Sequence, residues 1–294
     1  MSALAIIGAG GRVGTLMRGA AALSQLPLSR FWSSRATDAD AAPDGFRWSL
    51  EEGPGALVSL VERMEEPPVL FLLAGATTGS DADLATNSRL ASACLEAASV
   101  TGVKRVLLAS SSAVYGQPTD GLIAETDAPR EPNPYGIAKL AMEVEAARYC
   151  SETLEICCLR IGNVLGADAL MRSAIKATAN APLLLDRFAD GDGPRRSYIG
   201  PMTLLRVIES LAFAVEPLPF LLNVAAPQPV GMADLARAGD FPWRWRPAPA
   251  EARQNIVLSC ARLQRLVEFS PLDTDPGALL SQLSSVLDHP NAPF

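Results

Sequence analysis

The segment ALAIIGAGGRVG, residues 3–14, carries the strongest indication of the fold. A short apolar run ends in a cluster of glycines, and a helical pattern begins directly after it. Glycines at this spacing permit a tight strand-to-helix turn and let backbone N–H groups approach a pyrophosphate at the helix N-terminus. An ordinary glycine-rich turn has the same composition, but the strand before it and the helix after it favour dinucleotide binding. The candidate cofactor-binding residues of this loop are Gly8, Gly10, Gly11, Arg12, Val13 and Gly14.

Apolar segments and helical segments alternate along the first 165 residues. The pattern predicts strands over residues 3–7, 31–33, 69–74, 103–109 and 154–159, and helices over residues 12–24, 82–99 and 134–149. This alternation predicts an α/β fold, a doubly wound parallel sheet of the Rossmann type with helices on both faces.

The pattern loosens after about residue 165. Residues 186–194 and 240–249 are interrupted by Pro, Gly and Asp, which predicts loops, whereas residues 202–215 and 220–224 read as a further helix and strand. We therefore predict a dinucleotide-binding domain of residues 1–165, to which residues 198–225 return. Residues 166–197 and 226–294 are predicted to form a second, smaller C-terminal substrate lobe.

Composition excludes several classes of function. The chain has 294 residues, 49% of them hydrophobic, a net charge of −7 and no block of Lys or Arg, so we expect neither nucleic acid nor a membrane as a partner. The longest apolar run, residues 69–76, is far too short to span a bilayer, and the N-terminus reads as a strand and not as a signal peptide. Five cysteines without metal-binding spacing favour a reduced, cytoplasmic protein, and the single histidine, His289, disfavours histidine-based metal sites and a Ser-His-Asp triad.

The second predicted strand bears on which dinucleotide is bound. A carboxylate about 20 residues beyond the glycines would bond the adenosine ribose and favour NAD, but no acid occurs before Asp38. Ser33 and Arg35 instead offer a hydroxyl and a cation to a 2′-phosphate, although both are also ordinary loop residues. The sequence thus favours NADP over NAD.

A tyrosine and a lysine stand four residues apart at the start of a predicted helix. Tyr135 and Lys139 share one helix face, where an ammonium group lowers the pKa of a phenol and suits it to acid–base chemistry. Upstream, Ser110, Ser111 and Ser112 follow a buried strand, at the sheet edge where doubly wound folds bind ligands. Each feature alone is compatible with a purely structural role.

Together these motifs resemble an extended short-chain dehydrogenase/reductase of the NAD-dependent epimerase/dehydratase family. The fingerprint GxxGxxG matches Gly8, Gly11 and Gly14, and VLLASSSAVYG (106–116) followed by NPYGIAK (133–139) matches the catalytic Ser-Tyr-Lys arrangement. LRIGNVLG (159–166), RRSYI (195–199) and LLNVAAPQPV (221–230) are similar to later family segments in the same order.

The resemblance implies roles for individual residues. Ser111, Tyr135 and Lys139 would be catalytic, with Ser111 polarising the substrate oxygen and Tyr135 taking its proton. Lys139 would also bond the nicotinamide ribose. Further cofactor contacts would come from Ala74 and Asn87, and substrate contacts from Ser112, Asn163 and Arg196; no metal is implied.

The sequence departs from the family in ways that leave its reaction open. The family's H-V-D-D becomes Gly-Pro-Met-Thr at residues 200–203, and Ser111 is not followed by Asp-Glu, which disfavours dehydration. We predict hydride transfer at a carbinol or carbonyl carbon, of a nucleotide-sugar-like substrate in an epimerase or of a small ketone in an NADP-linked reductase. A non-catalytic dinucleotide sensor is a further alternative, and the resemblance suggests a homodimer through helices 82–99 and 134–149.

Overall fold

The computed structural model describes residues 3–34, 44–117 and 121–289. In chain order the strands are β1 (Ala3–Ile7), β2 (Ser29–Ser34), β3 (Gly45–Arg47), β4 (Val69–Leu72), β5 (Arg105–Ser111), β6 (Leu122–Ile123), β7 (Glu155–Ile161), β8 (Asn163–Val164), β9 (Leu183–Arg187), β10 (Arg195–Arg196), β11 (Tyr198–Ile199), β12 (Leu221–Val224), β13 (Val230–Gly231), β14 (Trp243–Pro247) and β15 (Asn255–Leu258). The helices are α1 (Arg12–Leu23), α2 (Gly53–Glu62), α3 (Asp81–Val100), α4 (Pro134–Ala146), α5 (Ala169–Ala174), α6 (Pro201–Ala212), α7 (Met232–Ala238) and α8 (Pro276–Leu287).

A seven-stranded sheet in the order β12-β7-β5-β4-β1-β2-β3 forms the centre of the molecule. All of its strand pairs are parallel. The strand order reverses between β1 and β4, and in such a sheet ligands bind outside the carboxyl ends of the strands at this reversal. The predicted α/β, doubly wound fold is therefore confirmed.

Both faces of the sheet are buried, because successive side chains of a strand point to opposite faces. Leu4 and Ile6 of β1 belong to the core against α1, α6 and α8, whereas Ala5 and Ile7 belong to the core against α2, α3 and α4. This accounts for the unbroken apolar runs of the central strands, which are typical of parallel sheets covered by helices on two sides.

The C-terminal part adds smaller sheets beside the large one. They comprise the four-stranded sheet β13-β10-β15-β6 and the pairs β11-β8 and β14-β9. The predicted loop over residues 240–249 was wrong at β14, where Trp243 and Trp245 alternate with Arg244 and Arg246 in the two-residue period of a strand. Helix α2 was also missed, because its opening Gly-Pro-Gly resembles a turn although proline is well tolerated in a first helical turn.

Within the described residues, no helix combines the length and the apolar character needed to cross a membrane.

Candidate active site

A cleft of about 370 Å³ opens at the carboxyl ends of β1, β4, β5 and β7. Its walls are formed by the glycine loop, the segments after β4 and β5, the first turns of α4 and the segment after β7. The lining residues are Gly8, Gly11, Arg12, Val13, Gly14, Leu73, Gly75, Thr77, Ala109, Ser110, Ser111, Tyr135, Lys139, Ile161, Gly162, Asn163, Val164, Ala167 and Asp168. The structure thus brings the glycine motif and the Ser-Tyr-Lys motif into one site.

The glycine loop requires glycine for steric reasons. Gly8 has a φ of +104°, and a Cβ there would lie 2.4 Å from the backbone nitrogen of Ala74. At Gly14 a Cβ would lie 2.6 Å from the Cα of Ala9, so this glycine lets α1 pack against the loop. The N–H groups of the first turn of α1 have no partner within the helix, and they open toward the cleft as an anion-binding helix N-terminus. Gly10 is exposed in the same loop and is not part of the cleft wall.

The start of α4 fixes the position of Tyr135. Asn133 caps the helix, its side-chain oxygen accepting a hydrogen bond from the backbone N–H of Gly136 at 2.8 Å. A Cβ on Gly136 would lie only 2.2 Å from the carbonyl oxygen of Ala113, so glycine allows the helix to touch the turn that follows β5. Burial raises the pKa of the half-buried Tyr135 phenol, and a side-chain hydrogen bond with Ser111 opposes that rise.

Lys139 lies one turn further along α4 and is 3% exposed. Its ammonium group donates a hydrogen bond to the carbonyl oxygen of Ala109 at 2.7 Å. Burial lowers the pKa of Lys139 to about 8, while Cys158 and Glu143 act in the opposite direction. Lys139 therefore titrates closer to neutral pH than a solvent-exposed lysine, and its charge is sensitive to the groups around it.

The three consecutive serines differ in their surroundings. The Ser111 hydroxyl accepts a hydrogen bond from the backbone N–H of Ala113 at 3.2 Å and lines the cleft. The hydroxyl of Ser110 donates a hydrogen bond to the Glu143 carboxylate at 2.6 Å, so it is directed toward the buried side chain of Glu143. Ser112 is half-buried at the start of the turn after β5 and is not part of the cleft wall. The geometry therefore supports Ser111 as the serine nearest the chemistry.

A buried ion pair behind the cleft was not found from the sequence. Arg160 on β7 donates to both carboxylate oxygens of Glu143 on α4, at 3.0 and 2.7 Å, and both side chains are 5% exposed. The Arg160 guanidinium also lies 4.8 Å from the ring centroid of Tyr115. Seventeen residues separate the partners, so no local pattern joins them, although an arginine inside an apolar strand was a visible anomaly.

Asn87 holds the segment after β4, and Ala74 packs against the glycine loop. The Asn87 amide donates hydrogen bonds to the carbonyl oxygens of Ala76 at 3.0 Å and Leu84 at 2.8 Å. Ala74 donates its N–H to the carbonyl of Ile7 and packs against Gly8. Neither residue is part of the cleft wall, and their direct contact with a cofactor stays a prediction.

The predicted substrate contacts are only partly brought together. Asn163 lines the cleft, and its backbone N–H donates to the carbonyl of Ser197. Arg196 is not part of the cleft wall; its guanidinium donates to the backbone carbonyls of Arg195, Arg253 and Gln254 at 2.7–2.9 Å. Its contact with a substrate stays a prediction.

Three comparisons with known proteins place this site in context. The family model "NAD dependent epimerase/dehydratase family" matches residues 47–206. A UDP-glucose 4-epimerase from Halalkalibacterium halodurans is 41% identical over 68 residues, which cover 22% of this chain and 20% of that protein. The matched segment thus spans only about a fifth of that relative.

Solved structures share the fold across nearly the whole chain. The UDP-glucose 4-epimerase from Brucella ovis in complex with NAD has a TM-score of 0.77 at 20% identity, with 95% of this chain and 96% of that chain covered. MoeE5 in complex with UDP-glucose and NAD has a TM-score of 0.74 at 20% identity, with 98% and 100% covered.

The preference for NADP over NAD was wrong. The matching family is NAD dependent, and both similar structures are complexes with NAD. The structure also gives a physical reason, because the Ser33 side chain is 1% exposed and does not reach the cleft surface. Arg35, the other residue on which the preference rested, lies outside the described residues.

Proposed function

Because the chain belongs to the NAD-dependent epimerase/dehydratase family, we propose that it inverts a carbinol carbon of a nucleotide sugar with NAD as a resident cofactor. The observation that carries this proposal is the cleft in which the glycine loop of α1 faces Ser111, Tyr135 and Lys139. The family match confirms the expectation of an enzyme, whereas the inversion and the sugar substrate are our proposals.

The residues of the cleft fit NAD. Gly8 and Gly14 allow the loop to pack tightly against Ala74 and Ala9, and this turn places the N–H groups of the first turn of α1 at the cleft, where they can bind a pyrophosphate. Arg12 places a guanidinium in the same wall, where it would neutralise part of the pyrophosphate charge. Bound NAD would supply the hydride acceptor and donor.

In the proposed reaction Tyr135 takes the proton of the substrate hydroxyl while the carbon that bears this hydroxyl is oxidised. It returns the proton after the keto sugar has rotated in the site to present its opposite face. Ser111 donates a hydrogen bond to the developing carbonyl oxygen, which stabilises its partial negative charge. Lys139 stabilises the phenolate form of Tyr135 electrostatically. Asn163, Ser112 and Arg196 are proposed to contact the substrate, with residues 166–197 and 226–294 as the lobe that holds it.

The identity and retention of the cofactor test the proposal. We expect the purified protein, once denatured, to release NAD in a near 1:1 ratio, and the intact protein to interconvert UDP-glucose and its 4-epimer, followed by proton NMR. Retention is expected because an epimerase regenerates NAD within each turnover. Lack of epimerisation of any nucleotide sugar, with consumption of added NADH by a ketone, would contradict epimerase activity and indicate a reductase.

We also propose that α3 and α4 form the contact between two copies in a homodimer. The two helices pack side by side, and α4 exposes Ile137 and Val144, two turns apart on one face. Val144→Asp should therefore convert a dimer into a monomer, measured by light scattering after gel filtration. Val215→Asp, at a 96% exposed site after α6, is the matched control and should not change the mass. A monomeric wild-type protein, or a Val144→Asp variant that is still dimeric, would refute this contact.

A further inference from the structure

Tyr135, Lys139 and Glu143 follow one another at four-residue intervals, so they share one face of α4. The first two line the cleft, while Glu143 lies behind them, buried and hydrogen-bonded to Ser110 and Arg160. Breaking such a buried pair is costly, yet replacing it with well-packed apolar side chains is often neutral or stabilising. Stability alone therefore does not explain why charges occupy this position.

The charge of Lys139 depends on few neighbours. The titratable or charged groups packed around its side chain or lining the same cleft are Tyr135 and Glu143 on α4, Cys158 and Arg160 on β7, Arg12 at the start of α1, and Asp168 before α5. Burial raises the pKa of the Cys158 thiol well above its usual range, so this group is neutral. Among these groups, Glu143 is the buried charge that acts on Lys139, and Arg160 is the ion-pair partner of Glu143.

We propose that Glu143 is a positioning residue of this active site, and that with Arg160 it sets the charge of Lys139 and thereby the acid–base competence of Tyr135. Ser110 connects this pair to β5, because its hydroxyl donates a hydrogen bond to Glu143 and it adjoins Ser111 on that strand. The link to Tyr135 rests on the proposed function; the link to Lys139 does not.

The two substitutions should move the Lys139 pKa in opposite directions. Glu143→Gln removes the carboxylate that favours the charged form of Lys139 and leaves the Arg160 cation unpaired, so the Lys139 pKa should fall below about 8. Arg160→Gln leaves the Glu143 carboxylate without its counter-charge, so the Lys139 pKa should rise. Both variants break the same ion pair and both should lower the melting temperature, which separates the electrostatic effect from a loss of packing.

The chain has only three lysines, Lys104, Lys139 and Lys176, so their side chains can be titrated individually by NMR of protein labelled with carbon-13 lysine. The Lys139 resonance is the one lost in Lys139→Met. We expect it to titrate at lower pH in Glu143→Gln and at higher pH in Arg160→Gln. Where turnover is measurable, the alkaline limb of kcat/KM should move in the same directions.

A second buried pair provides the matched control. Arg30 on β2 and Glu209 on α6 are 2.6 Å apart and similarly buried, away from the cleft wall. Glu209→Gln should lower the melting temperature without moving the Lys139 titration. Unchanged titrations in both test variants, or shifts of the same sign, would overturn the inference. If one variant fails to fold, the direction of the Lys139 titration shift in the other variant decides whether the inference stands. Shifts of the expected signs without nucleotide-sugar turnover would leave the inference standing and remove the proposed function.

Discussion

Tyr135→Phe should lower kcat by about 10²–10⁴-fold while the protein keeps its NAD, because the variant loses the group that exchanges the substrate proton in the proposed reaction. The ring remains, so the packing at the start of α4 is preserved. Burial raises the pKa of this phenol, so in the proposed reaction the hydroxyl depends on Ser111 and Lys139, which line the same cleft, to act near neutral pH. Turnover should be measured with whichever nucleotide sugar the wild-type protein is found to epimerise in the test of the proposed function, and NAD content by absorbance after denaturation.

Tyr198→Phe is the matched control for this variant. The Tyr198 hydroxyl is fully buried in β11 and has no hydrogen-bond partner within the described residues, so its removal should cost little stability or activity. Equal losses in both variants would mean that activity responds to any tyrosine substitution in this fold. Turnover of Tyr135→Phe within a few-fold of the wild type would remove Tyr135 from the mechanism.

The sequence predicted the parts of the site that are encoded by local spacing. The glycines of residues 8–14 and the four-residue interval between Tyr135 and Lys139 are short-range patterns, and the fold places them where expected. Alternating strands and helices likewise predicted most of the sheet, because strands such as β1, β4, β5 and β7 show apolar runs. The three-residue strand β3 shows no such run and was not predicted. These inferences needed no knowledge of tertiary contacts.

Features that depend on tertiary contacts were not predictable in this way. Glu143 and Arg160 lie on different elements, and only the packing of α4 on the sheet makes them partners. The preference for NADP rested on Ser33 as an accessible hydroxyl, whereas in the sheet its side chain is buried. In β14 the prolines on either side suggested a loop, although the Trp-Arg alternation between them is typical of a strand.

Gly136→Ala should abolish most of the activity although it adds a single methyl group. The new Cβ would lie 2.2 Å from the carbonyl oxygen of Ala113 and 2.9 Å from its carbonyl carbon, and a backbone group cannot move aside as a flexible side chain can. The first turn of α4 must therefore shift away from the turn after β5, which carries Tyr135 away from Ser111. Because a misplacement of about 1 Å can cost about 10²-fold in rate, we expect at least that loss in kcat.

Gly55→Ala makes the same chemical change in a helix where nothing lies within 4 Å of the new Cβ. Replacing glycine by alanine inside a helix stabilises it by about 0.5–1 kcal/mol, so this variant should melt slightly higher and keep full activity. Comparing the two variants separates the effect of helix propensity from the effect of the close contact between residue 136 and Ala113. Helix propensity alone would make both substitutions stabilising. An active Gly136→Ala variant would show that α4 can move away from the turn after β5 without disturbing the Ser111–Tyr135 geometry. The contact between Gly136 and Ala113 would then not be what positions Tyr135.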